Sequence, residues 1–117
     1  MAGAETQTAV ARMLAEVRET GGLQGKDIAN MVDVSPATVS RWSNGTATPT
    51  LHTQTVINDL RYVVDRLSDF YTPEETRLWL NARHQLLKGE RAIDLIRARR
   101  TEEVLAVIER LSAGVYL

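Results

Sequence analysis

The pattern of apolar and polar residues predicts helices along the whole chain. Between about Thr6 and Thr20, apolar side chains recur at intervals of three and four, which is the spacing of a half-buried helix. These positions are Val10, Met13, Leu14 and Val17. Gly21-Gly22 then ends the predicted helix. Because no alternating run of β-branched residues occurs, we expect an all-α fold.

A second amphipathic pattern, from about Leu51 to Tyr71, predicts a longer helix. Three apolar positions recur in each heptad, which makes a face broad enough for the core of a bundle. They are Val56, Ile57, Leu60, Val63, Val64, Leu67, Phe70 and Tyr71. The small polar segment 43–49 before this helix is the best linker in the chain. We therefore predict an N-terminal domain over residues 1–50 and a C-terminal domain over residues 51–117.

Three shorter helices are predicted after this one. Thr72-Pro73-Glu74-Glu75 combines an N-cap threonine, a proline in the first turn and a capping-box glutamate. The helix that it starts carries the apolar run 78–80 and fades near Asn81. A short helix follows around residues 92–99. The last helix begins near Thr101 and stops at Gly114.

Composition narrows the classes of function. The 117 residues carry a net charge of -1 and no cysteine, which excludes a disulfide framework and a cysteine nucleophile. No apolar run approaches the roughly 20 residues that span a bilayer, and the start lacks the segments of a secretory signal. His52 and His84 lack the spacing of metal ligands, and Ser40 and Ser43 lack a base and its orienting group. We therefore expect a cytoplasmic protein with no catalytic residue, no metal, no cofactor and no membrane partner.

A helix-turn-helix is the most specific pattern in the N-terminal segment, from Gly25 to Asn44. Two helices that cross at a short turn need a small residue where they touch, and Ala29 stands at that place. Ser35 and Pro36 predict the start of the second helix. Apolar residues occupy the positions expected to be buried, which are Ile28, Val32, Val34, Val39 and Trp42.

From Gly22 to about Pro49 the chain resembles the Xre-type family of helix-turn-helix regulators. The family places the start of the second helix in the major groove of DNA. The resemblance implies that five residues face DNA, namely Ser35, Ala37, Thr38, Ser40 and Arg41. Among them, only Arg41 has the guanidinium fork that contacts guanine with two hydrogen bonds. The turn position usually given to glycine holds Asp33, and aspartate tolerates a left-handed turn.

The charge balance leaves the strength of DNA binding open. Residues 1–50 hold four basic residues against five acidic ones, whereas a strong duplex binder carries a basic excess. We therefore expect modest affinity for DNA per chain. The alternative is that the motif serves as a folding or dimerisation module with little affinity for DNA.

A second resemblance covers the chain from about Val56 to Leu117. This part is similar to the toxin-binding domain of the Xre/MbcA/ParS antitoxins, in the order of the segments Trp79-Leu80, 86–96, 104–111 and 114–117. The family often has a glycine before the last helix, where this chain reads Arg97-Ala98-Arg99-Arg100. The resemblance implies a partner, a RES-domain toxin that consumes NAD. It also implies that the antitoxin silences this toxin by covering its active site.

We predict the toxin-binding face from the loop 81–91 and the end of the chain. Its candidate residues are Arg83, Lys88, Arg91, Val115, Tyr116 and Leu117. Interface cores favour tyrosine and arginine, and an apolar chain end is costly to leave in water. The alternative for Val115 and Tyr116 is that they fold back as a clasp on the bundle.

Two classes of function follow from these patterns. The leading hypothesis is an antitoxin that works by protein–protein contact and represses its own operon, as a homodimer or as a hetero-oligomer with the toxin. The alternative is a stand-alone transcriptional regulator whose C-terminal helices only dimerise it. An adjacent gene for a RES-domain protein would favour the antitoxin.

Overall fold

Seven α-helices and one turn of 3-10 helix make up the structure of residues 2–114, which are the residues that the computed structural model describes. The helices are α1 (Ala2–Gly21), α2 (Gly25–Val32), α3 (Pro36–Ser43), α4 (Leu51–Leu67), α5 (Pro73–Asn81), α6 (Ala92–Arg97) and α7 (Thr101–Ser112), and the 3-10 turn spans Gln85–Leu87. Within the described range there is no strand, only an isolated bridge between Arg83 and Arg91. The predicted all-α fold is confirmed. No helix among these residues combines the length and the apolar character needed to cross a membrane.

The predicted starts of α3 and α5 are confirmed by their hydrogen bonds, whereas α1 begins at Ala2 and not near Thr6. Ser35 Oγ accepts from the Thr38 amide at 3.2 Å, which caps α3 ahead of Pro36. At the start of α5, Thr72 Oγ1 accepts from the Glu75 amide at 3.2 Å, and Glu75 Oε1 accepts from the Thr72 amide at 2.9 Å. This reciprocal pair is the capping box, and it satisfies two amides that the helix itself leaves without a partner.

The predicted end of α4 is wrong. The helix ends at Leu67, not at Tyr71, because residues 68–71 form a turn. The amides of Phe70 and Tyr71 both donate to the Leu67 carbonyl there, at 2.9 and 3.0 Å. Tyr71 still packs against the core from this turn, whereas Phe70 is 39% exposed. Apolar periodicity reports burial, and here burial continues after the helix has ended.

Two non-glycine residues that follow α-helices adopt the left-handed conformation. Asp33 does so after α2, with φ 64 and ψ 46, as predicted. Arg99 does so after α6, with φ 64, so α6 ends at Arg97 and not near residue 99. The amide of Arg100 donates to the Leu95 carbonyl at 2.8 Å, which completes a Schellman motif. Arg99 thus adopts a conformation that glycine reaches without steric strain.

The buried apolar side chains form one continuous cluster that crosses the predicted boundary at residue 50. α1 packs along α4, and the two helices approach closely at Gly21, where a Cβ atom would lie 2.8 Å from Val64 Cγ2. Within the helix-turn-helix, Val32 and Val34 are only partly buried, and Met31 is buried although its burial was not predicted. The division into two domains stays a prediction, and the two segments share one core.

Candidate functional site

The residues predicted to face DNA lie on the side of α3 away from the core. Val39 and Trp42 are the buried residues of this helix, with 1% and 5% exposure. The five predicted residues are exposed or half-buried, and they are Ser35, Ala37, Thr38, Ser40 and Arg41. The structure therefore brings all five to one accessible surface.

Hydrogen bonds link three of these five side chains along the helix. Ser35 Oγ lies 3.0 Å from Thr38 Oγ1, and Arg41 Nη2 donates to Thr38 Oγ1 at 3.1 Å. Arg41 therefore lies along the helix surface. Because hydrogen bonds exposed to water contribute little net free energy, the guanidinium can exchange Thr38 for another acceptor at little cost.

Two arginines of the C-terminal segment reach carboxylates of the helix-turn-helix. Arg77 of α5 contacts Asp27 of α2 with two hydrogen bonds, Nη2 to Oδ1 at 3.0 Å and Nε to Oδ2 at 3.3 Å. Arg97 of α6 lies with Nη2 3.6 Å from Oδ2 of Asp33, in the turn between α2 and α3. Asp27 and Asp33 are the two acidic residues of the segment 21–50, so each carboxylate of that segment has an arginine beside it.

The two ion pairs differ in their surroundings. The Asp27 side chain is 17% exposed, whereas that of Asp33 is 86% exposed. Burial by itself raises the pKa of Asp27, but the hydrogen bonds from Arg77 and from the Gln24 amide outweigh it and hold the pKa below its usual value. Because the Gln24 amide donates to Asp27 Oδ2 at 2.7 Å, Asp27 both caps α2 and anchors α5.

The segment between α5 and α6 folds back on itself into a closed loop, called here the 82–91 loop. Arg83 and Arg91 form an antiparallel bridge at its neck. Inside it, the amide of Gly89 donates to the His84 carbonyl at 2.9 Å. Leu87, 4% exposed, anchors the 3-10 turn in the core. The loop therefore has a defined shape before any partner binds.

An aromatic contact holds the first half of this loop against α5. The rings of His84 and Trp79 lie with their centroids 4.4 Å apart and tilted by 36°. His84 Nε2 also lies 2.7 Å from the Trp79 carbonyl oxygen. Trp79 itself is partly buried against the core. These contacts give both residues a structural role.

The 82–91 loop presents the three basic residues predicted to bind a toxin. Arg83 is exposed, and its Nη1 donates across the loop to the Gly89 carbonyl at 3.0 Å. Lys88 is exposed at a left-handed position with φ 57. Arg91 is half-buried and binds Asp94 with hydrogen bonds of 2.8 and 3.0 Å, and the bond from Arg91 is the main cause that lowers the pKa of Asp94.

The predicted C-terminal part of this face, Val115, Tyr116 and Leu117, lies outside the described residues. The preceding helix α7 ends at Ser112, and Gly114 has φ +75. This is the helix stop that Gly114 was expected to provide.

Comparisons with known proteins identify one group of relatives. The helix-turn-helix family matches residues 14–53. The mycobacterial cidal antitoxin MbcA of Mycobacterium tuberculosis is 29% identical over 96 residues, which cover 82% of this chain and 85% of that protein. The probable mycobacterial cidal antitoxin Rv3188 of the same species is 33% identical, and the match covers 82% of each chain. The chain belongs to the MbcA family of antitoxins.

The MbcA-family relationship extends to the fold. A chain of the crystal structure of the M. tuberculosis MbcT–MbcA toxin–antitoxin complex superposes with a TM-score of 0.81 at 28% identity. The match covers 92% of this MbcA-family chain and 96% of that chain. The arrangement of the helix-turn-helix on the C-terminal helices is therefore shared by both.

Two exposed leucines of this MbcA-family chain, and the contacts of two arginines, were not recognised from the sequence. Leu78 of α5 and Leu86 of the 82–91 loop are 70% and 44% exposed. Helical periodicity could have identified Leu78 as exposed. The buried residues of α5 are Thr76 and Leu80, and Leu78, two positions from each, lies on the opposite side of the helix. The ion pairs of Arg77 and Arg97 had no such signal, since their partners are distant in the sequence.

Proposed function

We propose that this chain is a non-catalytic antitoxin that binds a RES-domain, NAD-consuming toxin and covers its active site. The observation that carries the proposal is the match in fold over 92% of the chain to a chain of the MbcT–MbcA complex. Membership of the MbcA family supports the antitoxin role. The identity of the toxin rests on the resemblance to the Xre/MbcA/ParS antitoxins.

The toxin-facing surface that we propose is the 82–91 loop, with its exposed Leu86, and the neighbouring Leu78 of α5. Leu78 and Leu86 offer apolar area, and Arg83 offers an exposed guanidinium. Apolar and arginine side chains together are typical of interface cores. The closed loop loses little conformational freedom on binding, because its shape is already set.

The test is co-expression of the full chain with the protein encoded by the adjacent gene, which the proposal requires to carry a RES domain. We expect the chain to restore growth and to copurify with that protein. The double variant Leu78→Asp/Leu86→Asp is expected neither to restore growth nor to copurify. Leu51→Asp is the matched control, because Leu51 is 80% exposed at the start of α4. Full restoration of growth by the double variant would show that this surface is not part of the interface with the toxin. A chain that never copurifies would favour a stand-alone regulator.

The chain end is the second part of the proposed surface. A chain truncated after Ala113 is expected to melt near the temperature of the full chain and yet fail to restore growth. A lower melting temperature would instead support the clasp on the bundle. Full rescue by a stable truncated chain would exclude Val115, Tyr116 and Leu117 from neutralisation, and would leave Arg83, Lys88 and Arg91 of the loop.

We propose further that the protein represses its own operon through the exposed face of α3, as a homodimer or within the toxin complex. The hydrogen-bonded series from Ser35 to Arg41 supports this, because it presents a guanidinium at the surface that the family applies to DNA. In gel shifts on the DNA upstream of its gene, Arg41→Ala should weaken binding greatly, and Lys26→Ala only slightly. An unchanged gel shift with Arg41→Ala would show that α3 is not part of the DNA interface.

A further inference from the structure

The helix-turn-helix segment has equal numbers of basic and acidic residues, and arginines of the C-terminal segment add positive charge beside it. Residues 21–50 contain two basic residues, Lys26 and Arg41, and two acidic ones, Asp27 and Asp33. Each of the acidic residues has an arginine of the C-terminal segment beside it. With those two arginines counted, four basic residues stand against two acidic ones in and beside the motif. A DNA-binding surface needs such a basic excess, since phosphate contacts supply much of the affinity.

Of the two carboxylates of segment 21–50, that of Asp33 is the more unfavourable for DNA binding. It stands two residues before Ser35, the N-cap of α3, and 86% of its side chain is exposed. A phosphate approaching the start of α3 would meet this negative charge. Arg97 Nη2 lies 3.6 Å from Asp33 Oδ2 and is itself half exposed. The two residues line one cleft together with His52 at the start of α4.

The Arg97–Asp33 ion pair contributes little to the stability of the fold. Exposed ion pairs stabilise a fold only slightly, because water screens the attraction and both side chains lose freedom. α6 is held instead by its buried apolar side chains, among them Leu95 and Ile96, with 1% and 0% exposure. Arg97 can therefore be changed without unfolding the protein, which makes a separate role testable.

We propose that Arg97 is part of the DNA-facing surface, where it offsets the charge of Asp33 and so allows the start of α3 to approach the phosphate backbone. The inference rests on the proposed DNA binding through α3. It assigns to the C-terminal segment a share in DNA affinity. α6 then joins the two proposed surfaces, because its N-cap is Arg91 of the 82–91 loop and its last residue is Arg97.

The experiment is a double-variant cycle on the full chain, with the DNA upstream of its own gene as the probe. We expect Arg97→Gln to weaken binding about tenfold at low salt, because it leaves Asp33 without its counter-charge. Asp33→Asn alone should strengthen binding, and the double variant Arg97→Gln/Asp33→Asn should bind close to the parent chain, because it removes one charge of each sign from the same place. Both effects should shrink as added salt screens the charges.

The control is Arg110→Gln, which removes the same charge from an exposed position in the last turn of α7. It should leave binding within about twofold of the parent chain. An Asp33→Asn variant that binds no more tightly than the parent chain would overturn the inference, because the charge of Asp33 would then need no offset. No loss of binding from Arg97→Gln would also overturn it. Failure of the parent chain to bind this DNA in preference to a scrambled duplex would sink the proposed DNA binding and the inference with it.

Discussion

At the scale of single residues, Gly22 fixes how the helix-turn-helix meets α5. It has φ +65, and a Cβ atom there would lie 2.4 Å from the carbonyl oxygen of Pro73. Two independent constraints therefore exclude a side chain. One is the left-handed backbone, and the other is contact with another main-chain segment that cannot move as a side chain can.

We expect Gly22→Ala to lower the free energy of unfolding by about 3 kcal/mol or more, from left-handed strain and overpacking together. Gly45→Ala is the control, because Gly45 has φ +75 and nothing within 4 Å of its Cβ position. It should lose only about 1 kcal/mol. Urea denaturation followed by circular dichroism measures both. Equal losses would mean that the contact with Pro73 relaxes freely.

Asp27 gives a prediction for acid stability, because its pKa is lowered in the folded chain. Such a carboxylate stabilises the fold fully above its unfolded pKa, and this contribution is lost as the pH falls through the folded pKa. From about pH 5 down to about pH 3, the parent chain should therefore lose more stability than Asp27→Asn. Asp33→Asn, which changes an exposed pair, should follow the parent chain. Parallel curves for the parent chain and Asp27→Asn would show that the Asp27–Arg77 pair adds nothing to acid sensitivity.

At the scale of secondary-structure elements, the contact between α2 and α3 depends on a small residue. Ala29 is 1% exposed in α2, which packs on α3. Its carbonyl also accepts from the Val34 amide at 3.0 Å, across the turn. A larger side chain there has no space unless the two helices move apart.

Ala29→Leu is expected to destabilise the fold by about 1–3 kcal/mol through overpacking. The same change at Ala106, an exposed position of α7, is the matched control and should stay within about 0.5 kcal/mol of the parent. Thermal melts compare the three chains. A melting temperature for Ala29→Leu equal to that of the parent would show that α2 and α3 tolerate a wider separation than the structure has.

At the scale of the whole molecule, the shared core predicts that both segments unfold together. The chain has one tryptophan in each segment, Trp42 in α3 and Trp79 in α5. Both contact the same apolar cluster. Since α1 also packs along α4, neither segment keeps its core when the other unfolds.

We therefore expect a single two-state transition. In Trp79→Phe, the fluorescence of Trp42 should follow the same curve as the circular dichroism of that variant. In Trp42→Phe, the fluorescence of Trp79 should do likewise. Each variant is compared only with itself, so a change in stability from the substitution does not affect the test. Fluorescence and circular dichroism curves with separate midpoints would indicate two independently folding domains at the predicted boundary.

Much of the fold could be predicted from local signals. Ser35, Thr72 and Pro73 marked helix starts, and the apolar stripes marked the faces of α1 and α4 that are buried. The end of α4 was missed because Tyr71 packs on the core from a turn. The 3-10 turn of the 82–91 loop was missed because its shape depends on the bridge at its neck and on one buried leucine, which leave no periodic pattern.

The exposed residues of α3 and the basic residues of the 82–91 loop were determined by the sequence itself, because helical periodicity and short loops place near neighbours without long-range information. Only the tertiary structure decided which charges stand beside them. Arg77 and Arg97 meet Asp27 and Asp33 because the packing of α5 and α6 on the helix-turn-helix brings distant residues together. Net charge along a segment therefore does not give the charge of the surface that the segment forms, since electrostatic interactions depend on distance in space and not on distance along the chain.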